Sequence, residues 1–198
     1  MRFKVWLKNR VADRVLLPLR QELIELIDPG STVFEVGCGT GDLLFRSASK
    51  IKSGYGVDLD PAMIELAENK RLERNLGHLT FECIDALQVS DKPFDISTST
   101  LCLHELPEST ACDLLRLMVD RSKFVLIADF TAAKSASSRI GIEFDELISG
   151  HYGNYKRYRR SGEIPSYAEK VDAVVESEIA SEIDGISIWR ISKRAASS

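Results

Sequence analysis

Hydrophobic positions along this chain change period repeatedly, and each change marks an element. Leu7, Val11 and Val15 recur every four residues, Pro18 interrupts, and Leu19, Leu23, Ile24 and Ile27 resume the stripe. This predicts a two-part helical segment over residues 1–28, ended by Pro29-Gly30. From there short β-rich runs alternate with helical patterns. Strands are expected at 32–36, 54–57, 79–84, 94–98 and 124–128, the last continuous and apolar as in a strand buried on both faces. Helical faces are expected from Leu44, Ala48 and Ile51, and from Met63, Leu66 and Ala67 after Asp60-Pro61. Two more carry Ala111, Leu114, Leu115 and Met118, then Ile140, Phe144, Leu147 and Ile148. Late strands at 176–183 and 186–192 flank Asp184-Gly185, a hairpin-turn pair. The alternation implies an α/β fold: a doubly wound, mostly parallel seven-stranded sheet closed by a C-terminal antiparallel hairpin. No repeat or Pro/Gly/Ser-rich linker interrupts it, so residues 1–198 read as one domain.

Composition narrows the partners. The 198 residues are 44% hydrophobic and 28% charged, as in an ordinary globular protein. Lys plus Arg number 26 against 30 Asp plus Glu, a net charge of −4, which disfavours coating by nucleic acid. No apolar run approaches the roughly 18 residues needed to cross a bilayer. Lys8, Arg10, Asp13 and Arg14 break up the N-terminal apolar stretch, so no signal peptide is expected there. Cys38, Cys83, Cys102 and Cys112 have neither CxxC spacing nor a nearby histidine pair. Reduced thiols, a cytoplasmic location and no metal centre are therefore expected.

The chemistry concentrates in Val33-Phe34-Glu35-Val36-Gly37-Cys38-Gly39-Thr40-Gly41-Asp42. Alternate glycines after a strand allow a tight turn and close approach of a ligand to the backbone. A dinucleotide fingerprint would read GxGxxG, but its third glycine is replaced here by Asp42. Asp42 and Glu35 suit a cationic or zwitterionic ligand better than a pyrophosphate. Asp58, ending the second strand, can accept from adjacent ribose hydroxyls. Asp85-Ala86 offers a polar edge to an adenine, or Asp85 caps the turn before Leu87. Leu59 and Met63 can supply apolar faces to the ring.

The motifs Glu35-Val36-Gly37-Cys38-Gly39-Thr40-Gly41, Gly56-Val57-Asp58-Leu59-Asp60, Cys83-Ile84-Asp85-Ala86 and Phe94-Asp95-Ile96-Ser97…Leu103-His104-Glu105-Leu106 resemble class I S-adenosylmethionine-dependent methyltransferases. The small stand-alone prokaryotic type is the nearest match, over about residues 30–130. The resemblance implies a Rossmann-like methyltransferase fold with S-adenosylmethionine as cofactor and S-adenosylhomocysteine as product. The 37–41 loop would pass beneath the methionine part, with Cys38 as a small filler and Glu35 supporting the amino group. Asp58 would hold the ribose, Leu59 the adenine face, and Asp85 with Ala86 the adenine edge. Ser99 and Thr100 would line the boundary between cofactor and acceptor.

His104 reads as a general base at the mouth of that site or as a helix-entry residue bonded to backbone. Residues 151–160 hold three of the five tyrosines and a basic run. They read as part of a substrate lid over 131–170, with Tyr152 and Tyr155 inward and Arg159 able to clamp an anion. An RNA contact or an ordinary solvated helix end is the alternative. Trp6 and the N-terminal segment would close over the site or pad the core. The region after the fourth strand lacks the Asn/Asp-Pro-Pro-aromatic run of enzymes that methylate base amino groups or glutamine amides. With no room for a separate recognition domain, O-, N- or C-methylation of a small molecule is expected. The partners expected are that acceptor, without nucleic acid or membrane, in a monomer or homodimer. RNA or protein methylation, a nucleotide-binding oxidoreductase, and a cofactor-binding protein without turnover remain the alternatives.

Overall fold

The computed structural model describes residues 16–195. The stripe Leu7, Val11 and Val15, and Trp6 with it, lie outside the described residues. Helix α1 (Leu17–Leu26) begins with Pro18 in its first turn, where the missing N–H has no helical partner to lose. Pro18 thus starts this helix instead of interrupting it, and α1 buries Leu19 and Leu23.

The remaining elements follow in chain order: β1 (Thr32–Val36), α2 (Asp42–Ser47), β2 (Ser53–Asp58), α3 (Pro61–Glu73), β3 (Leu79–Cys83) and β4 (Phe94–Thr100). Next come α4 (Glu108–Arg121), β5 (Ser122–Phe130), α5 (Ala136–Ser149), α6 (Tyr152–Ser161), α7 (Glu163–Lys170), β6 (Ala173–Ala180) and β7 (Ile186–Lys193). The seven strands form one sheet in the order β3-β2-β1-β4-β5-β7-β6. The first five run parallel, and β7 pairs antiparallel with both β5 and β6. The order reverses between β1 and β4, which opens a crevice at their carboxyl ends.

Phe34, Tyr55 and Phe94 stack across β1, β2 and the start of β4, with centroids 5.0–6.3 Å apart. On the other half, Trp189 of β7 is fully buried, and α4 buries Ala111, Leu114, Leu115 and Met118 as its periodicity predicts. Several boundaries shift. Helix α2 ends at Ser47, leaving Ile51 buried beyond it; α3 turns Ile64 and Ala67 inward, with Met63 and Leu66 half-buried. Strand β6 begins at Ala173 and ends at Ala180, so residues 181–185 make a longer connection than a two-residue turn.

The largest departure is α5. Its stripe Ile140, Phe144, Leu147 and Ile148 points outward, 62–67% exposed, while Glu146 is buried. Two anchors impose this orientation. The Asp184 carboxylate accepts the N–H groups of Lys134 and Ser135 at 2.8 and 2.9 Å, fixing the start of α5 to the β6–β7 connection. Glu146 faces His104 from the inner side. No helix among the described residues is long and apolar enough to cross a membrane.

Residues 131–170 are three helices docked on the sheet edge. The buried Tyr158 hydroxyl donates to the Phe130 carbonyl at 2.8 Å, and Asn154 Nδ2 donates to the Glu105 carbonyl at 2.7 Å. Tyr158→Phe leaves that buried carbonyl without its side-chain donor, and should cost about 1–2 kcal/mol of stability. Urea denaturation measures this, and an unchanged midpoint would contradict the assignment.

Candidate cofactor and acceptor site

The chain leaves β1 through Gly37, Gly39 and Gly41, all in the left-handed region at φ +69°, +52° and +73°. At Gly41 a Cβ would stand 2.5 Å from the Phe81 ring, so both space and backbone conformation demand glycine. At Gly39 a Cβ would meet nothing within 4 Å, so the backbone there borders open space. The end of β2 holds the loop down: the Val57 carbonyl accepts the N–H groups of Gly37 and Cys38 at 2.9 and 3.0 Å. Asp58 completes the anchorage, its Oδ2 accepting from Gly39 N–H at 2.8 Å and its Oδ1 from Asp60 N–H at 2.9 Å. Each oxygen keeps a lone pair for a hydroxyl. Beside it Leu59 stands 69% exposed, an apolar side chain with its face uncovered.

Glu35 lies under the loop, 1% exposed, with Oε2 buried and without a partner among the described residues. Burial pushes its carboxyl up to about 8; Arg20 opposes this, and Asp42 and Asp58 reinforce it. A buried acid without a partner is the kind of group a cationic ligand would ionise and satisfy. Asp42 is less available than its sequence position implies. It pairs with Arg46 at 2.8 Å, and Arg20 of α1 approaches to 4.0 Å. Arg20, unnoticed in the sequence, also has Nη1 buried without a partner among the described residues. Cys38 is buried and Cys102 half-buried; desolvation pushes both thiols up, Cys102 to about 12, so neither is a ready nucleophile.

The other expected cofactor residues fall along the same sheet edge. Asp85 caps the turn 86–88 by accepting Leu87 N–H at 3.0 Å through Oδ1, next to buried Ala86. Ser99 Oγ donates to the Val36 carbonyl at 3.0 Å, so it braces β4 against β1. Thr100 carries a buried hydroxyl without a partner among the described residues. Glu35 Oε2 and the Asp58 carboxylate keep acceptor capacity, while Gly39 and Leu59 border open space.

His104, expected either as a general base or as a helix-entry residue bonded to backbone, lies in a buried ion pair. It is 1% exposed, in a turn (Leu103–Glu105) after β4. Nδ1 lies 2.5 Å from Asp129 Oδ1, and Nε2 faces Glu146 Oε1 at 3.3 Å. Burial disfavours its charged form, yet Asp129 and Glu146 outweigh burial and push it up to about 10. With Nδ1 hydrogen-bonded to Asp129 and Nε2 turned towards the buried Glu146, the ring is poorly placed to take a proton from a ligand. The sequence reading missed both partners. Asp129 was signalled only as the polar residue ending an apolar run, and Glu146 only as an acid inside an apolar helix.

Of the proposed lid residues, Tyr155 is buried, its ring edge-on to Phe130 at 5.6 Å and to His104 at 6.3 Å. Tyr152 is half-buried and stacks on Tyr155 at 6.5 Å, while Arg159 pairs with Glu163.

Known proteins resemble this chain in sequence and fold. Residues 33–123 match the family described as a methyltransferase domain. The aklanonic acid methyltransferase DauC of Streptomyces sp. (strain C5) is 32% identical over 83 residues, 39% of this chain and 38% of that protein. The 23S rRNA (uracil(1939)-C(5))-methyltransferase RlmD of Alcanivorax borkumensis is 28% identical over 147 residues, 72% of this chain and 33% of that protein. The chain therefore spans little more than a third of these relatives. In fold, it resembles the O-methyltransferase NcsB1 from neocarzinostatin biosynthesis, solved with S-adenosyl-L-homocysteine and 1,4-dihydroxy-2-naphthoic acid. The TM-score is 0.74 at 18% identity, covering 94% of this chain and 56% of that one.

Two measurements check the electrostatics. Folded Glu35 keeps its proton up to about pH 8, whereas the unfolded chain loses it near 4.5. Stability without ligand should therefore fall as pH rises across that interval, and Glu35→Gln should remove part of the slope. Equal slopes in chemical denaturation would contradict the shift. His104, raised instead from 6.5, should show imidazolium nitrogen shifts in NMR spectra up to pH 8–9. A neutral ring at pH 7.5 would contradict the clamp.

Proposed function

We propose that this chain, whose residues 33–123 match a family described as a methyltransferase domain, is a class I S-adenosylmethionine-dependent methyltransferase that transfers a methyl group from S-adenosylmethionine to a small-molecule acceptor. S-adenosylhomocysteine is the product. The observation that carries this reading is the buried Glu35 carboxyl, whose Oε2 has no partner among the described residues, beneath a glycine loop that Asp58 anchors at Gly39. A buried anion in waiting favours a ligand bearing ammonium and sulfonium charge, and opposes a dinucleotide pyrophosphate.

In this reading Glu35 receives the amino group, Asp58 the ribose hydroxyls, Leu59 the adenine face, and Asp85 with Ala86 the adenine edge. Ser99 and Thr100 border the acceptor. When bound, the cofactor supplies an activated methyl group on its sulfonium. The protein's contribution is to fix the acceptor in line and keep water out, which can supply a large part of the acceleration. His104 takes a positioning role, holding the turn after β4 against β5 and α5. Small organic acids named for DauC and NcsB1 support a small acceptor, methylated at O, N or C. RlmD, named for uracil in rRNA, keeps an RNA acceptor as the second reading, with the basic α6 as its contact.

Calorimetric titration tests the assignment. S-adenosylhomocysteine should bind and NAD should not, and Asp58→Ala should weaken binding by about tenfold or more through the lost hydroxyl and loop contacts. Binding of NAD alone, or an unchanged affinity in Asp58→Ala, would sink it.

A further inference from the structure

The geometry points to an anion-binding cleft between α5 and α6 that holds an acid group of the methyl acceptor. The cleft encloses about 260 Å³ where the chain leaves β5 at residues 131–133. Arg139 comes from α5, and Lys156, Arg159 and Arg160 from α6; Glu143 is the only acid among the lining residues. Tyr155 lies at its base.

The cations differ in how far they are already engaged. Arg159 pairs with Glu163, and Lys156 lies over the Tyr152 ring at 5.0 Å. The guanidinium groups of Arg139 and Arg160 have no ion pair or hydrogen bond among the described residues. Positive groups gathered in so small a space repel one another, and an anion placed between them relieves that repulsion. A guanidinium fork matches the paired oxygens of a carboxylate or phosphate.

Position ties the cleft to the reaction. Strand β5 runs parallel to β4 and β1, so its carboxyl end shares the sheet edge with the glycine loop. Tyr155 links the cleft floor to that edge through Phe130 and His104. The volume suits an acid of about one ring and is too small to enclose a polymer. The inference rests on the methyltransferase reading for the identity of the ligand as acceptor, while anion binding itself can be measured apart from it.

The test is calorimetry on the full chain, with and without S-adenosylhomocysteine. The probes are 4-hydroxybenzoate, phenyl phosphate, neutral 4-hydroxybenzamide and a short single-stranded RNA. At least one single-ring anion should bind about tenfold tighter than the amide. Preference between the two anions then tells carboxylate from phosphate. The double variant Arg139→Ala/Arg160→Ala should lose the preference while binding S-adenosylhomocysteine as before. The proposal is overturned if the amide binds as tightly as the acids or if the double variant keeps the preference. It also falls if only RNA binds, with an affinity dropping steeply in salt. Acid preference without S-adenosylhomocysteine binding would overturn the methyltransferase reading alone; the reverse would overturn the cleft alone.

Discussion

The Asp58 carboxylate holds two pieces of backbone that would otherwise be free to part. One oxygen takes the Gly39 N–H and the other the Asp60 N–H, so the turn after β1 and the turn after β2 share one anion. With the Val57 carbonyl accepting from Gly37 and Cys38, the end of β2 carries the whole glycine loop. Charge-assisted bonds of this kind are roughly twice as strong as neutral ones. The loop is therefore shaped before any ligand arrives, with Gly39 facing open space and Leu59 uncovered beside it. Asp60 continues the chain of anchors by capping α3 through the Ala62 N–H. Beneath the loop, Glu35 Oε2 is buried without a partner among the described residues, a neutral acid that can ionise against a cationic group.

A second network surrounds His104. Its ring, between Asp129 and Glu146, joins the turn after β4, the end of β5 and the inner face of α5. Removing one partner would leave an uncompensated buried charge, so the three act as a unit. The same network explains why α5 shows its apolar stripe to solvent. Glu146 is drawn inward by His104, and the helix cannot turn Ile140, Phe144, Leu147 and Ile148 to the core at the same time. An exposed patch of that kind marks a surface available for contacts.

The fold was largely legible because its signals are local. Strand runs, the glycine turn and Asp184-Gly185 each lie within a few residues, and periodicity located β1 to β5 and α4 with small boundary errors. The position of Asp58 at a strand end was equally readable, since strand length sets where the side chain emerges. What escaped were pairings between distant segments. His104 finds Asp129 across 25 residues and Glu146 across 42, distances at which no spacing rule operates. Arg20 reaches Asp42 only because α1 packs on α2. For α5 the apolar period gave the helix, but not that two polar anchors turn its stripe to solvent. Pro18 was likewise read as a break, although proline serves as well to begin a helix as to end one.

The central claim is that a buried, neutral Glu35 becomes the counter-charge of the ligand's ammonium group. Titrating S-adenosylhomocysteine at pH 7 in two buffers of different ionisation enthalpy measures protons exchanged on binding. With Glu35 protonated up to about pH 8 in the free protein, the account predicts release of close to one proton. Binding with no proton released would contradict it.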